Sequence, residues 1–266
     1  MNNLKSLAIK HNSDKYGSHF YTEIYERYMY PKKNKHIKIL EIGVGGYVNG
    51  NYSDAHLGGE SLRMWRDYFK KGSIVGLDIF EKKINLGNRV KIFKGSQNNS
   101  ITLSQVVKQY KKFDFIIDDG SHKSKDVIFS FKYLFSFLKE GGYYFIEDTQ
   151  SSYIRELGGD GANLNNKKTA INYFKGLIDK INYREIENPY YKPDEFAKNI
   201  TEVHFFHNMI VIKKEKNLEK SNILIKNRRI VGGTSYVVFR KFIKNCKYLF
   251  LHVRAKINYL LEYVKI

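Results

Sequence analysis

Five short apolar runs, each closing within two residues of a glycine or an acidic residue, set what this chain can fold into. They cover residues 37–43, 74–79, 90–93, 113–117 and 143–146. Helical spacing fills two of the intervals: Leu62, Trp65 and Phe69 within residues 61–69, and the strongly apolar stretch 127–138. Strands alternating with helices build βαβ units and a parallel sheet with right-handed crossovers. Ligands of such sheets bind beyond the carboxyl ends of the strands. The glycines and paired acids of this chain fall at those ends.

Further along, residues 169–181 read as a helix. Residues 202–206 and 209–213 read as strands joined tightly at His207-Asn208, an antiparallel hairpin that brings the sheet to seven strands. The expected fold is therefore α/β, Rossmann-like and mostly parallel, with helices on both faces. Residues 1–35, helical around 21–28, form an N-terminal cap over cofactor or substrate. Residues 36–214 form the catalytic domain, with 151–200 as an acceptor lid hinged at Gly158-Gly159. From Tyr236 the apolar positions Phe239, Phe242, Cys246, Leu249 and Val253 step by three or four among basic residues. Residues 215–266 thus read as a basic amphipathic helical extension.

The single cysteine, Cys246, excludes an intramolecular disulfide and a cysteine-based zinc site. No run reaches the eighteen or so apolar residues of a membrane span. Residues 1–10 lack the apolar core of a secretory signal, so a cytoplasmic protein is expected. The net charge of +19 raises the prospect of nucleic acid or anionic membrane. Much of it lies beyond residue 212, so it belongs to the extension. No nucleic acid is expected. A solvated helix face, a homo-oligomer packed through the apolar stripe, and peripheral contact with anionic membrane all stay open for the tail.

Glu41-Ile42-Gly43-Val44-Gly45-Gly46 follows the first strand, and its glycines let a ligand approach the backbone. Asp78 ends the second strand, where an acid accepts bonds from ribose hydroxyls. Together they favour an adenosine-containing ligand. A dinucleotide fingerprint would open directly into a helix; here the glycines open into an Asn/Gly/Ser loop. Glu41 at the strand end suits a cationic sulfonium amino acid, so the residues lean towards S-adenosylmethionine. Strand four ends in Asp118-Asp119-Gly120-Ser121-His122 and strand five in Glu147-Asp148. Acids converging on one edge repel unless a cation or hydrogen bonds compensate, and hard oxygen donors suit Mg²⁺. A plain turn and a helix cap are the alternatives. His122 lies within reach as a general base, or as a helix cap.

Together with Asn12-Ser13-Asp14-Lys15, His19-Phe20-Tyr21, Tyr25-Glu26, Gly59-Glu60-Ser61-Leu62-Arg63-Met64-Trp65 and Gly95-Ser96-Gln97, these motifs form a recognisable set. Over roughly residues 12–214 the chain resembles the class I sugar O-methyltransferases of the mycinamicin and macrocin group. The resemblance implies cofactor contacts from Glu41, Gly43, Gly45, Asp78, Gln97 and Asp118. It implies Mg²⁺ on Asp119, Glu147 and Asp148, with His122 deprotonating a sugar hydroxyl. Tyr21, Tyr25, Tyr47 and Tyr153 are candidates for the substrate wall. Asn99 stands where the pattern leads one to expect an acid, and the tail beyond residue 215 falls outside the resemblance. The expected acceptor is a small sugar or sugar nucleotide, a surface glycan or a glycosylated natural product. A diol or phosphate-type oxyanion at the same site is the rival acceptor. A basic nucleic-acid or membrane-binding protein is the rival from another class.

Overall fold

The protein was analysed as a computed structural model, which describes residues 3–46, 57–186, 188, 190–221, 224–225, 228–229, 243 and 245–254. Tyr47 and most of the basic extension, including Phe239 and Phe242, lie outside the described residues.

Five strands run parallel: β1 (Lys38–Ile42), β2 (Ser73–Asp78), β3 (Val90–Lys94), β4 (Phe113–Asp118) and β5 (Leu138–Ile146). The hairpin β6 (Ile200–Phe206) and β7 (Met209–Lys214) adds two antiparallel strands, giving the order β3-β2-β1-β4-β5-β7-β6. The order reverses between β1 and β4, and that switch point opens a crevice beyond the strand ends.

Side chains alternate across a strand, so a strand covered on both faces reads as an unbroken apolar run. Ile39, Ile74, Phe115, Ile117 and Phe145 pack on one face against α1 (Leu4–His11), α2 (Thr22–Met29) and α3 (Glu60–Tyr68). Leu40, Val75, Leu77, Ile116 and Tyr144 pack on the other against α4 (Ser100–Tyr110) and α5 (Ser124–Leu134). Helices therefore cover both faces, as the apolar runs require.

Three differences from the sequence reading have physical causes. The helix read to residue 138 ends at Leu134, because Leu138 already pairs with Phe113 in β5. The register then jumps to Phe115–Tyr143, and Gly141 takes a left-handed φ of 71° inside the excursion. The helix read over 169–181 divides at Gly176 into α6 (Ala170–Lys175) and α7 (Leu177–Ile181). Asn99, where an acid was expected, caps α4: its side-chain oxygen accepts from the N–H groups of Ile101 and Thr102 at 2.9 and 3.2 Å.

The N-terminal helices are part of the core. Glu26 accepts from the Leu4 N–H and the Tyr68 hydroxyl, both at 2.8 Å, and so ties α1, α2 and α3 together. His11 lies 2.8 Å from Asp67 across the same junction. Burial pushes the Asp67 carboxyl up, but hydrogen bonds from Arg66 and His11 outweigh it and hold it at about 2. A carboxyl depressed on folding stabilises above its unfolded pKa of about 4 and loses that contribution as pH falls towards 2. Asp67→Asn should therefore lower stability at neutral pH by about 1 kcal/mol after solvent screening. The gap between mutant and wild type should close between pH 4 and pH 2 in urea melts. A gap independent of pH would contradict this account.

Among the described residues no helix is long and apolar enough to cross a membrane. Residues 245–254 are helical, with Leu249, Phe250 and Val253 exposed.

Candidate active site

A cavity of about 390 Å³ opens at the switch point. Its walls come from the loops after β1 (Gly43, Gly45, Gly46), β2 (Asp78 to Phe80), β3 (Gly95 to Gln97) and β4 (Asp119 to His122). Asp148 and Asp14 complete it. Gly43 has φ 88°, and a Cβ there would lie 1.9 Å from the Asp119 carbonyl oxygen. Its N–H donates to the Leu77 carbonyl at 2.8 Å. The loops after β1 and β4 thus touch backbone to backbone, which places the glycine loop directly beside the acid loop.

Asp78 accepts from the Val44 N–H at 2.9 Å and the Phe80 N–H at 2.8 Å, and Lys82 Nζ lies 3.5 Å away. These bonds fix the carboxylate at the cavity wall, and Oδ1, with the Phe80 N–H as its one partner, keeps a lone pair for a ligand hydroxyl. Gln97 also lines the cavity. Its amide nitrogen donates to both oxygens of Asp118, at 2.9 and 3.2 Å, and its oxygen accepts from the Ser121 N–H at 2.6 Å. Asp118 is buried behind Gln97 and also accepts from the Ser130 hydroxyl. Burial raises the Asp118 carboxyl to about 6, against the pull of Ser130 and Gln97. Asp118 is therefore not a wall residue, as the sequence reading had it; it orients Gln97, which is.

The remaining acids divide into two groups. Asp119 and Asp148 face the cavity together with His122, and one ligand atom from each lies within 4.8 Å of the others. His122 Nε2 sits 4.0 Å from Asp119 Oδ1 and 3.9 Å from Asp148 Oδ2. Both His122 and Asp148 have left-handed backbones, φ 56° and 51°. Such strain persists only where the surroundings hold it, commonly at functional sites. The Tyr21 hydroxyl donates to Asp148 Oδ1 at 2.8 Å, and the His19 ring stacks on Tyr21.

Glu41 and Glu147 form the second group, behind the wall. Glu41 is 0% exposed and accepts from the Ser61 hydroxyl at 2.8 Å and the Trp65 indole N–H at 3.1 Å. Glu147 accepts from the Tyr25 hydroxyl. Between them lies Lys15, 1% exposed, its Nζ 2.5 Å from Asp119 Oδ2, 3.0 Å from Glu147 Oε2 and 3.5 Å from Glu41 Oε1. Burial raises Glu41 to about 7, opposed by Lys15. It raises Glu147 well above the usual range, reinforced by Asp119. Neither glutamate lines the cavity: Glu41, expected to contact a sulfonium, and Glu147, expected to hold Mg²⁺, both stand behind the wall against Lys15.

Tyr25 is buried against Trp65 and Phe145, and Tyr153 is 46% exposed outside the cavity wall. Tyr21 meets the site through its hydroxyl and not its ring face. The sequence reading quoted Lys15 and His19 only within motifs, without roles. Lys15 is one of six lysines ahead of the first strand, so no local signal singled it out.

The donor chemistry fits the expected groups. Asp119 and Asp148 offer hard oxygens and His122 a nitrogen, with one ammonium against three of the acids. A divalent cation would supply the missing positive charge. The glycine loop, Asp78 and the acidic wall suit a cationic adenosine ligand.

No protein-family model matches the chain. Over 218 residues it is 35% identical to mycinamicin VI 2''-O-methyltransferase of Micromonospora griseorubida, covering 81% of this chain and 53% of that enzyme. It is 34% identical over 218 residues to demethylmacrocin O-methyltransferase of Streptomyces fradiae, covering 81% and 54%. Among solved structures, the MycE methyltransferase of the mycinamycin biosynthetic pathway, in complex with Mg and SAH, matches with a TM-score of 0.77 at 33% identity. That match covers 90% of this chain and 60% of the other. The fold is the class I methyltransferase fold. The chain spans about half the length of the curated relatives it matches.

Proposed function

From this homology to sugar O-methyltransferases over most of its length, we propose that the chain is an S-adenosylmethionine- and Mg²⁺-dependent O-methyltransferase acting on a sugar hydroxyl. The observation that carries the reading is one cavity joining the glycine loop, Asp78 and Gln97 to the Asp119–His122–Asp148 triad. S-adenosylmethionine supplies the methyl group and Mg²⁺ supplies a Lewis acid for the acceptor oxygen. Asp119 and Asp148 would hold the ion from the cavity wall, with Glu147, released from Lys15, as the third ligand, which leaves His122 as the base. Gly43 and Gly45 let the cofactor approach the backbone, Asp78 accepts its ribose hydroxyls, and Gln97, aligned by Asp118, contacts it beside them.

His122 would take the proton of the acceptor hydroxyl as that oxygen displaces the neutral thioether S-adenosylhomocysteine from the methyl group. Tyr21 fixes Asp148, and Asp148 in turn orients the imidazole. Residues 1–35 act as a cap and residues 151–200 as the acceptor lid. The relatives' names point to a glycosylated natural product as the acceptor; a surface glycan or sugar nucleotide is the other sugar source. The setting is the cytoplasm and the assembly a homo-oligomer. In the tail, Leu249, Phe250 and Val253 are exposed beside Lys247 and Arg254, a stripe suited either to packing the homo-oligomer or to peripheral contact with an anionic membrane.

Calorimetric titration of S-adenosylhomocysteine, with Mg²⁺ and again with EDTA, tests the class. Micromolar binding is expected, followed by Mg²⁺-dependent gain of one methyl mass on a glycoside acceptor. A folded sample that binds under neither condition overturns the proposal.

A further inference from the structure

Among the described residues, Lys15 is the only cation buried between the carboxylates of Glu41, Asp119 and Glu147, and the proposed chemistry does not use it. Burying an ammonium is costly unless it is closely paired, yet Lys15 is among the largest fully buried side chains of the protein. It reaches the cluster from the loop between α1 and α2, whereas its partners stand at the ends of β1, β4 and β5. Its backbone is fixed there: the Lys15 carbonyl accepts from the Tyr21 N–H at 3.1 Å. Asp119 is the shared member. One of its oxygens meets Lys15 at 2.5 Å while the other faces His122.

We propose that Lys15 is the resident counter-ion of this cluster, and that a divalent ion competes with it for Asp119 and Glu147. Lys15 is thus a positioning residue that keeps the carboxylates assembled when no ion is bound and weakens the ion's affinity when one is. Two cations on one carboxylate repel, and the coupling is reciprocal: what Lys15 costs the ion, the ion costs Lys15. The inference rests on the ion-dependent reading above.

Lys15→Met keeps the length of the side chain and removes its charge. Mn²⁺ is the probe, its free form counted by electron paramagnetic resonance at pH 8, where protons compete less for the carboxyls. A unit charge at this distance shifts a proton affinity by about 1–3 pK units, so the variant should bind Mn²⁺ ~10-fold more tightly or better. In EDTA its melting temperature should fall below wild type, and Mn²⁺ or Mg²⁺ should restore most of the loss. If the ion-free variant is too unstable, the rise of its melting temperature with Mg²⁺ concentration reports the affinity instead. Equal Mn²⁺ affinities, or a melting loss that divalent ions leave untouched, overturn the inference and make Lys15 purely structural. No Mn²⁺ binding by either protein overturns the ion-dependent reading itself.

Discussion

His122→Ala should lower acceptor methylation by about 10²–10⁴-fold, the usual worth of a positioned general base, while S-adenosylhomocysteine still binds. The geometry supports a large effect. His122 lines the cavity on a left-handed backbone, with Asp119 and Asp148 at nearly equal distances from its Nε2. Its imidazole is therefore held beside two carboxylates that stabilise the cation formed when it takes a proton. Single-turnover rates followed across a Mg²⁺ titration up to saturation measure the chemical step, and calorimetry measures cofactor binding. If raising Mg²⁺ restores the rate, His122 is an ion ligand and not the base. If turnover is retained at ordinary Mg²⁺, the acceptor is an oxyanion that needs no base, and the sugar hydroxyl is the wrong substrate.

Gly43→Ala should destabilise the whole domain. An alanine forced to φ 88° carries left-handed strain, and its Cβ would sit 1.9 Å from the Asp119 carbonyl oxygen. That oxygen is backbone at the end of a central strand, so it cannot swing aside as a flexible side chain would. Strain of about 1–2 kcal/mol and overpacking of about 1–3 kcal/mol together give a loss of roughly 2–5 kcal/mol. In a chain of this size, melting temperature falls about 2–4 °C per kcal/mol. Gly45→Ala is the control: φ is 70° but nothing lies within 4 Å of the added atom, so only the strain remains. Equal melting temperatures for the two variants would show that the β1 and β4 loops can separate at little cost.

The sheet was legible because burial on both faces leaves a mark on each strand alone. The residues of β1 from Ile39 to Ile42, and the whole of β4, are buried, and both appear as apolar runs. The hairpin was equally plain, its strands flanking His207-Asn208, with Asn208 at a left-handed φ of 59°. Element ends were harder. The helical apolar spacing of α5 continues through Phe135, Phe137 and Leu138, so nothing local shows that Leu138 has joined a strand. Asn99 shows the reverse case, a residue out of pattern for a cofactor role whose place is explained by local capping.

The sequence by itself determined which residues meet at the carboxyl edge of the sheet, because strand order and strand length carry each strand's last residue there. Gly43, Asp78, Asp119, His122 and Asp148 follow from that rule, as do Glu41, Asp118 and Glu147, which stand behind the wall; Gln97 was named only through the family resemblance. Only the tertiary structure decided how the acids divide their work. Asp118 closes β4 and Asp119 opens the loop after it; the last strand residue turns to Gln97 and Ser130 and the first loop residue towards the cavity. Glu41 and Glu147 stand behind the wall, held by Ser61, Trp65 and Tyr25, and Lys15 joins Asp119 and Glu147 across separations of 104 and 132 residues. No local pattern encodes such a contact. It follows from the packing of the N-terminal helices over the strand ends, where a buried charge must find its partners.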